Sequence, residues 1–356
     1  MKRVIIRIAL LFVAASMLGG CYEKFGPSLE PDTICFKAES MLLKDDATRS
    51  STLLTSEDYV ENFSIYSLFK NDADHPVFDG EAVSRSGVIW SYASPKNWEW
   101  NLPDDWYDFI AVSPSNEEVS NGLSDGSSRL VGAPGRLTVL VPYDVVNDDV
   151  DMMIAVHTRH GNLPENQKVA PVALAFNHML AAVRVDVINN SSSGNIRVDS
   201  YGLKNVVNQA TLKATIANAD VPSFLWMDAV TTSTLVRQET PGTGEHNPIA
   251  PGDSLMGGYN LVIPQDLTSG GMLEATLEIK FTPIDGGVAG AQATREILLD
   301  KMQRFSDNSY ITEWEIGKVY TYKIYIRRDG GVEVRVITTK WDEIVYETPG
   351  IMIHVD

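Results

Sequence analysis

His157 and His160 stand three residues apart, a spacing that can ligate zinc from a helix, but Thr158, Arg159 and Gly161 around them read as a loop. No further His or Cys lies near them in sequence. His178 has no patterned serine or cysteine nucleophile beside it, so a hydrogen-bonded structural histidine is the preferred reading. Asp148, Asp149 and Asp151 offer carboxylate oxygens to calcium, yet the EF-hand spacing and its closing glutamate are missing, which favours a solvated turn. Gly122-Leu123-Ser124-Asp125-Gly126 fits the spacing of a nucleophile elbow. That chemistry needs a buried strand before the serine and a helix after it, and both flanks here are polar. No P-loop or dinucleotide fingerprint is found either. The expectation is therefore a non-enzyme with no catalytic residues, no metal ligands and no cofactor.

Cys21 is chemically different. Lys2, Arg3 and Arg7 accompany an apolar run ending near Leu18, with the charge, length and small-residue ending of an export signal. The run is too short to be read as a membrane-spanning helix. Leu18-Gly19-Gly20-Cys21 resembles the lipobox of bacterial lipoproteins, which implies cleavage before the cysteine and a thiol carrying diacylglycerol. An ordinary signal peptide that happens to hold a cysteine is the alternative. Residues 1–20 are then signal peptide, and Cys21 would tie the mature chain to the outer membrane, each buried methylene contributing about 0.8 kcal/mol.

The elements that must position such groups are strands. Gly26, Pro27 and Pro31 mark an extended tether. Ile34, Phe36 and Ala38 alternate with Cys35, Lys37 and Glu39, the period-2 pattern of a half-buried strand. Polar residues from Lys44 to Ser51 interrupt the pattern around Arg49. Phe63, Ile65, Leu68 and Phe69 open the next strand. Trp90, Trp98, Trp100 and Trp106, with Tyr92 and Tyr107, form an aromatic group that either fills a sandwich core or stacks on sugar rings. Their place on short strands bounded by Pro95 and Pro103 favours the core. A long polar loop spans Ser113 to Gly135.

Residues 163–171, polar and holding two prolines, read as the boundary between halves. Val172 to Val187 reads as two strand segments. Leu273 to Phe281 alternates most clearly, which predicts one buried and one wet face. Asp285-Gly286-Gly287 and Asp329-Gly330-Gly331 read as hairpin turns. The chain closes on a further alternation at Ile351, Ile353 and Val355.

The chain has 356 residues, 44% of them hydrophobic and 21% charged, which suits two globular domains. A formal net charge of −18 argues against nucleic acid as a partner. With two cysteines and one of them assigned to lipid, no pair remains for a disulfide within a domain.

Several stretches in order resemble the fimbrillin family of Bacteroidales lipoproteins, subunits of surface fimbriae with Mfa-like relatives. They are the lipobox at Cys21, Thr48-Arg49, Trp106 to Pro114, Asp151 to Ala155, Val172 to Ala181, Trp314 to Tyr322, and Val334 to Trp341. The resemblance implies an all-β chain of two tandem transthyretin-like β-sandwich domains of Greek-key type. The expected divisions are a lipidated leader over 21–50, an N-terminal domain over 51–166 and a C-terminal domain over 167–356. It also implies assembly by strand exchange, in which an arginine-specific protease removes a leader strand and a neighbour's strand fills the groove. Arg49 carries over as the candidate cleavage point, and an uncut loop arginine in a retained anchor stands beside that reading. Ile34, Phe36 and Ala38 are the candidate exchanged strand. Ile351, Ile353 and Val355 are the candidate donor, with a core strand as the other reading.

The expected function is a structural subunit of cell-surface fimbriae, of stalk, tip or anchor type. Its partners would be other fimbrial subunits, the outer membrane through lipid at Cys21, and a host protein or glycan. The competing reading is a surface glycan-binding adhesin lipoprotein that does not polymerise, motivated by the Trp90 to Trp106 group and the loop after it.

Overall fold

The structure, a computed structural model, describes residues 33–40, 60–86, 89–99, 105–115, 129–130, 137–147, 150–161, 169–216, 221–242, 244, 247–268 and 274–341. Cys21, Arg49, Trp100, Asp148, Asp149, most of the Ser113 to Gly135 loop, and Ile351, Ile353 and Val355 lie outside those residues.

The chain is all-β. The first strands are β1 (Phe36–Ser40), β2 (Asn62–Phe69), β3 (Phe78–Ser86), β4 (Ile89–Ser91), β5 (Trp106–Ser113), β6 (Arg129–Leu130), β7 (Leu137–Asp144) and β8 (Met153–His160). Then come β9 (Val172–His178), β10 (Ala181–Asn189), β11 (Asn195–Lys204), β12 (Val206–Ile216), β13 (Pro222–Thr232), β14 (Val236–Glu239), β15 (Ser254–Val262) and β16 (Gln265–Asp266). The last are β17 (Thr276–Asp285), β18 (Val288–Ala289), β19 (Ala293–Leu298), β20 (Gln303–Arg304), β21 (Glu313–Trp314), β22 (Lys318–Ile326) and β23 (Val332–Lys340). A single turn of 3-10 helix, Leu299–Lys301, interrupts them.

A seven-stranded sheet runs β1-β9-β8-β5-β2-β3-β4. Both of its faces are covered, which is why β2 and β5 are buried almost residue by residue rather than alternately. One face holds an aromatic core of Phe36, Phe63, Phe78, Trp90, Trp98, Tyr107 and Phe109 with aliphatic neighbours. The opposite face contributes Tyr66, Leu68, Ile110 and Val112 to a second core beneath the β13-β12-β7-β6 sheet. A third core lies between the β15-β10-β22-β23-β20 sheet and the β14-β11-β17-β18 sheet, which β19 extends. These last two sheets form the C-terminal sandwich.

Strand pairing crosses the expected 166/167 boundary. β9 pairs with β8 in the seven-stranded sheet, and β12 pairs antiparallel with β7 from Gln209↔Asp144 to Ile216↔Leu137. The middle core accordingly mixes Val139 and Ile154 with Leu180, Leu212 and Trp341.

The two hairpin turns form as read. Gly286 and Gly287 carry φ of 53° and 83° between β17 and β18, the positive values that a two-residue hairpin loop requires. Three local expectations need correction. His157 and His160 lie on β8 opposite Phe109 and Trp106, not in a loop, because the pairing of β8 with β5 outweighs their polar neighbours. Asp151 is buried and not in a solvated turn, since His178 partners it. The strand expected from Leu273 begins at Thr276, and its supposed wet face is largely covered: Glu278 is buried, paired with Lys204 and, at 3.1 Å, with Lys280. β17 is central, with β11 on one side and β19 on the other, so its polar face is shielded by its neighbours' side chains.

Candidate functional site

The strand β1 occupies the edge of the seven-stranded sheet and pairs in parallel with β9, from Phe36↔Val172 to Ser40↔Phe176. Its period-2 pattern sets what each side chain meets. Ile34 and Phe36 point inward and are 0% and 1% exposed; Ala38 packs partly buried against the same core; Lys37 is exposed. Phe36 sits among four rings, 5.9 Å from Phe63, 5.6 Å from Phe78, 5.7 Å from Tyr92 and 6.2 Å from Phe109, all edge-on. Such T-shaped pairs contribute about 0.5–1.5 kcal/mol each beyond the area they bury.

Main-chain bonds hold the segment on both sides. The Val172 N–H donates to the Cys35 carbonyl at 2.7 Å, and the Ile34 N–H donates to the Lys96 carbonyl at 2.8 Å. The Tyr92 hydroxyl donates to the Ile34 carbonyl at 2.7 Å, and Thr33 forms an isolated bridge with Asn97. The leader thus joins β9 at one end of the sheet to the segment after β4 at the other, closing the sheet around the aromatic core.

The acceptor is braced from behind. Arg159 donates to the carbonyls of Ala170 at 2.6 Å and Pro171 at 3.1 Å, immediately ahead of β9, while its guanidinium lies 5.0 Å from the Trp98 ring centre. Burial lowers the Arg159 pKa. His157 is also held below its ordinary value, first by burial and then by the nearby Arg159 charge. Burial pushes the Tyr107 hydroxyl up to about 12, where it accepts from the Glu99 N–H at 2.5 Å.

Trp90 and Trp98 are buried in this core, and Trp98 meets Tyr107 and Phe109 edge-on at 4.9 and 5.9 Å. Their faces serve packing, so they offer no open platform for a sugar. His178 is the structural histidine its surroundings suggested: Nδ1 lies 2.6 Å from Asp151 Oδ2, and the ring stacks on Trp341 at 4.4 Å and 12°. Sequence reading missed Arg159 as the brace and Tyr92 as a clamp on the leader. Nothing local to either residue signals a bond to a carbonyl on a distant segment.

Residues 48–341 match the fimbrillin-like family. The chain belongs to that family. A comparison with curated proteins gives no match. Among solved structures, this fimbrillin-like chain is similar to a fimbrial protein from Bacteroides vulgatus ATCC 8482, with 15% identity, a TM-score of 0.55, and coverage of 87% of this chain and 99% of that one. It is also similar to the tip fimbrial protein Mfa3 from Porphyromonas gingivalis, at 13% identity and a TM-score of 0.40, covering 80% and 95% of the two chains. At 15% identity the likeness to the Bacteroides vulgatus protein concerns the fold alone.

Proposed function

We propose that this fimbrillin-like chain is a non-catalytic structural subunit of cell-surface fimbriae that assembles by exchange of its leader strand. In this reading it is exported as an outer-membrane lipoprotein through Cys21. An arginine-specific protease then cuts after Arg49, and a neighbour's strand replaces β1, with Ile351, Ile353 and Val355 as the donor. The chain is read as two tandem transthyretin-like sandwiches, over 51–166 and 167–356, with strands shared between them.

The observation that carries the reading is the position of β1. It is an edge strand whose inward side chains complete a core, and its covalent route to the rest of the molecule passes through Arg49. A cut there leaves the strand held by main-chain bonds and alternate side chains alone, the terms on which strand addition operates. The alternation of Ile351, Ile353 and Val355 has the period needed to refill the places of Ile34, Phe36 and Ala38.

The test is N-terminal sequencing of the surface form together with electrophoresis after mild denaturation. A mature form beginning at Ser50 and a ladder of multimers are expected, and Arg49→Ala should abolish both. Protein that stays monomeric after complete cleavage at Arg49 would remove the stalk role. Cys21→Ser should release the chain from the membrane fraction; retention there would refute the lipid anchor.

A further inference from the structure

The C-terminal sandwich carries a solvent-facing cavity of about 420 Å³ lined by Asn190, Phe305, Asn308, Tyr325, Glu333 and Arg335. This lies within the ~300–1,000 Å³ span of small-molecule sites. Phe305 is 64% exposed, and it and Tyr310 are the two aromatic members of the exposed large apolar side chains among the described residues. Both stand on or beside one tight turn.

That turn is fixed. The Phe305 N–H donates to the Val336 carbonyl at 2.8 Å, the Arg304 N–H to the Ser309 carbonyl at 2.8 Å, and the Asn308 N–H to the Arg304 carbonyl at 3.1 Å. Asp307 caps it by accepting from the Ser309 N–H at 2.8 Å and the Ser309 hydroxyl at 2.6 Å. Phe305 is therefore displayed by a hydrogen-bonded turn, with its ring largely open to solvent among the described residues.

The polar wall is organised too. Arg335 donates from Nη1 to Gln303 at 3.2 Å and to Asn308 at 3.0 Å, and from Nε to Glu333 at 3.2 Å. The Glu333–Arg335 pair cancels the only formal charges among the six lining residues. A ligand carrying net charge would meet no unbalanced partner here. An uncharged ligand with an apolar face and a rim of hydroxyls meets aromatic rings together with amide, carboxylate and guanidinium groups.

We propose that this cavity binds a neutral saccharide, a pyranose ring packing its C–H face on Phe305 while its hydroxyls bond Asn190, Asn308, Glu333 and Arg335. The site is on the outer side of a sheet to which the leader strand does not belong, so the inference does not rest on strand exchange.

The experiment is saturation-transfer NMR on the full chain with methyl β-galactoside, methyl α-mannoside, N-acetylglucosamine and lactose, and 3′-sialyllactose as the charged arm. Transfer to at least one neutral sugar, strongest at the ring C–H protons of one face, is expected. Phe305→Ala should weaken that binding about tenfold or more while leaving the thermal midpoint unchanged, since the ring is exposed. Glu333→Gln, which leaves Arg335 unbalanced, should shift preference toward sialyllactose. Absence of transfer to all four neutral sugars overturns the proposal, as does full binding by a folded Phe305→Ala protein.

Discussion

The aromatic core of the seven-stranded sheet takes Ile34 and Phe36 from a segment joined to the rest of the chain through residues 41–59, whereas every residue of the C-terminal sandwich core lies between Ala181 and Val336. Both cores consist of side chains almost wholly shielded from solvent, the first enclosed by the one seven-stranded sheet and the second between two facing sheets. They differ in ownership. The C-terminal core also draws on edge strands, Val236 of β14, Val262 of β15 and Ile297 of β19, but all of them belong to the one continuous stretch that forms the sandwich. The N-terminal core is sealed by an edge strand that a single peptide cleavage could detach. Comparable packing thus rests on one continuous stretch in one half and, in the other, on an edge strand supplied from upstream of residue 41.

The most severe test of that contrast is cleavage after Arg49 followed by removal of the leader peptide. Amide exchange should rise sharply in β9, β2 and β5 and stay slow in β17 and β22; uniform exchange across both halves would erase the distinction. Supplying a peptide of residues 33–40 should restore protection to β9. Next in size, Phe36→Ala in the intact chain should cost about 3–5 kcal/mol, the range for emptying a fully buried aromatic site, and the loss should be read by probes in the seven-stranded sheet. Phe281→Ala, fully buried in the other core, should cost a similar amount, with the loss read in the sandwich. Denaturant melts followed by exchange would show whether the two losses separate by half.

A weaker effect appears on acidification. His157 has its pKa lowered by burial and by Arg159, so the unfolded chain binds the proton more readily and N-terminal stability declines as pH falls below the ordinary 6.5. Glu278 has its pKa lowered chiefly by its bond to Lys204. Its contribution is present above the ordinary 4.5 and is lost as pH falls through the lowered value. His157→Gln should flatten the first decline and Glu278→Gln the second, as followed by thermal melts across pH 7 to 3. Smallest of all, Gly286→Ala should cost about 1 kcal/mol, because its φ of 53° is strained for a side chain although nothing lies within 4 Å. A neutral melt would show that the turn has some other conformation.

Period-2 alternation made Ile34, Phe36 and Ala38 readable as a strand, and Asp-Gly-Gly marked the β17–β18 turn, because both signals are local. The stretch from Asn195 to Thr232 gives no strand signal in sequence, although it forms β11, β12 and β13. Register shifts between Val207 and Gln209 and between Gln209 and Thr211 break the alternation of β12. The wet face expected opposite Leu277 and Ile279 failed for a different reason: Lys204, far away in sequence, covers Glu278. At the leader, the inward residues were visible in sequence, but the four-ring box around Phe36 and the Arg159 brace behind β9 depend on which strands meet. The crossing of β12 onto β7 was hidden likewise, since pairing partners leave no mark on either strand alone.

The parallel register of β1 and β9 also has a mechanical meaning. Tension entering at Thr33 and leaving through the chain beyond His178 pulls the two strands along their length in opposite senses, so the five register pairs from Phe36↔Val172 to Ser40↔Phe176 share the load in shear. Peeling one end first would load the bonds singly and break them in turn. A strand seated this way resists a pull along the chain better than its short length suggests, and any segment that takes its place in the same direction inherits that resistance.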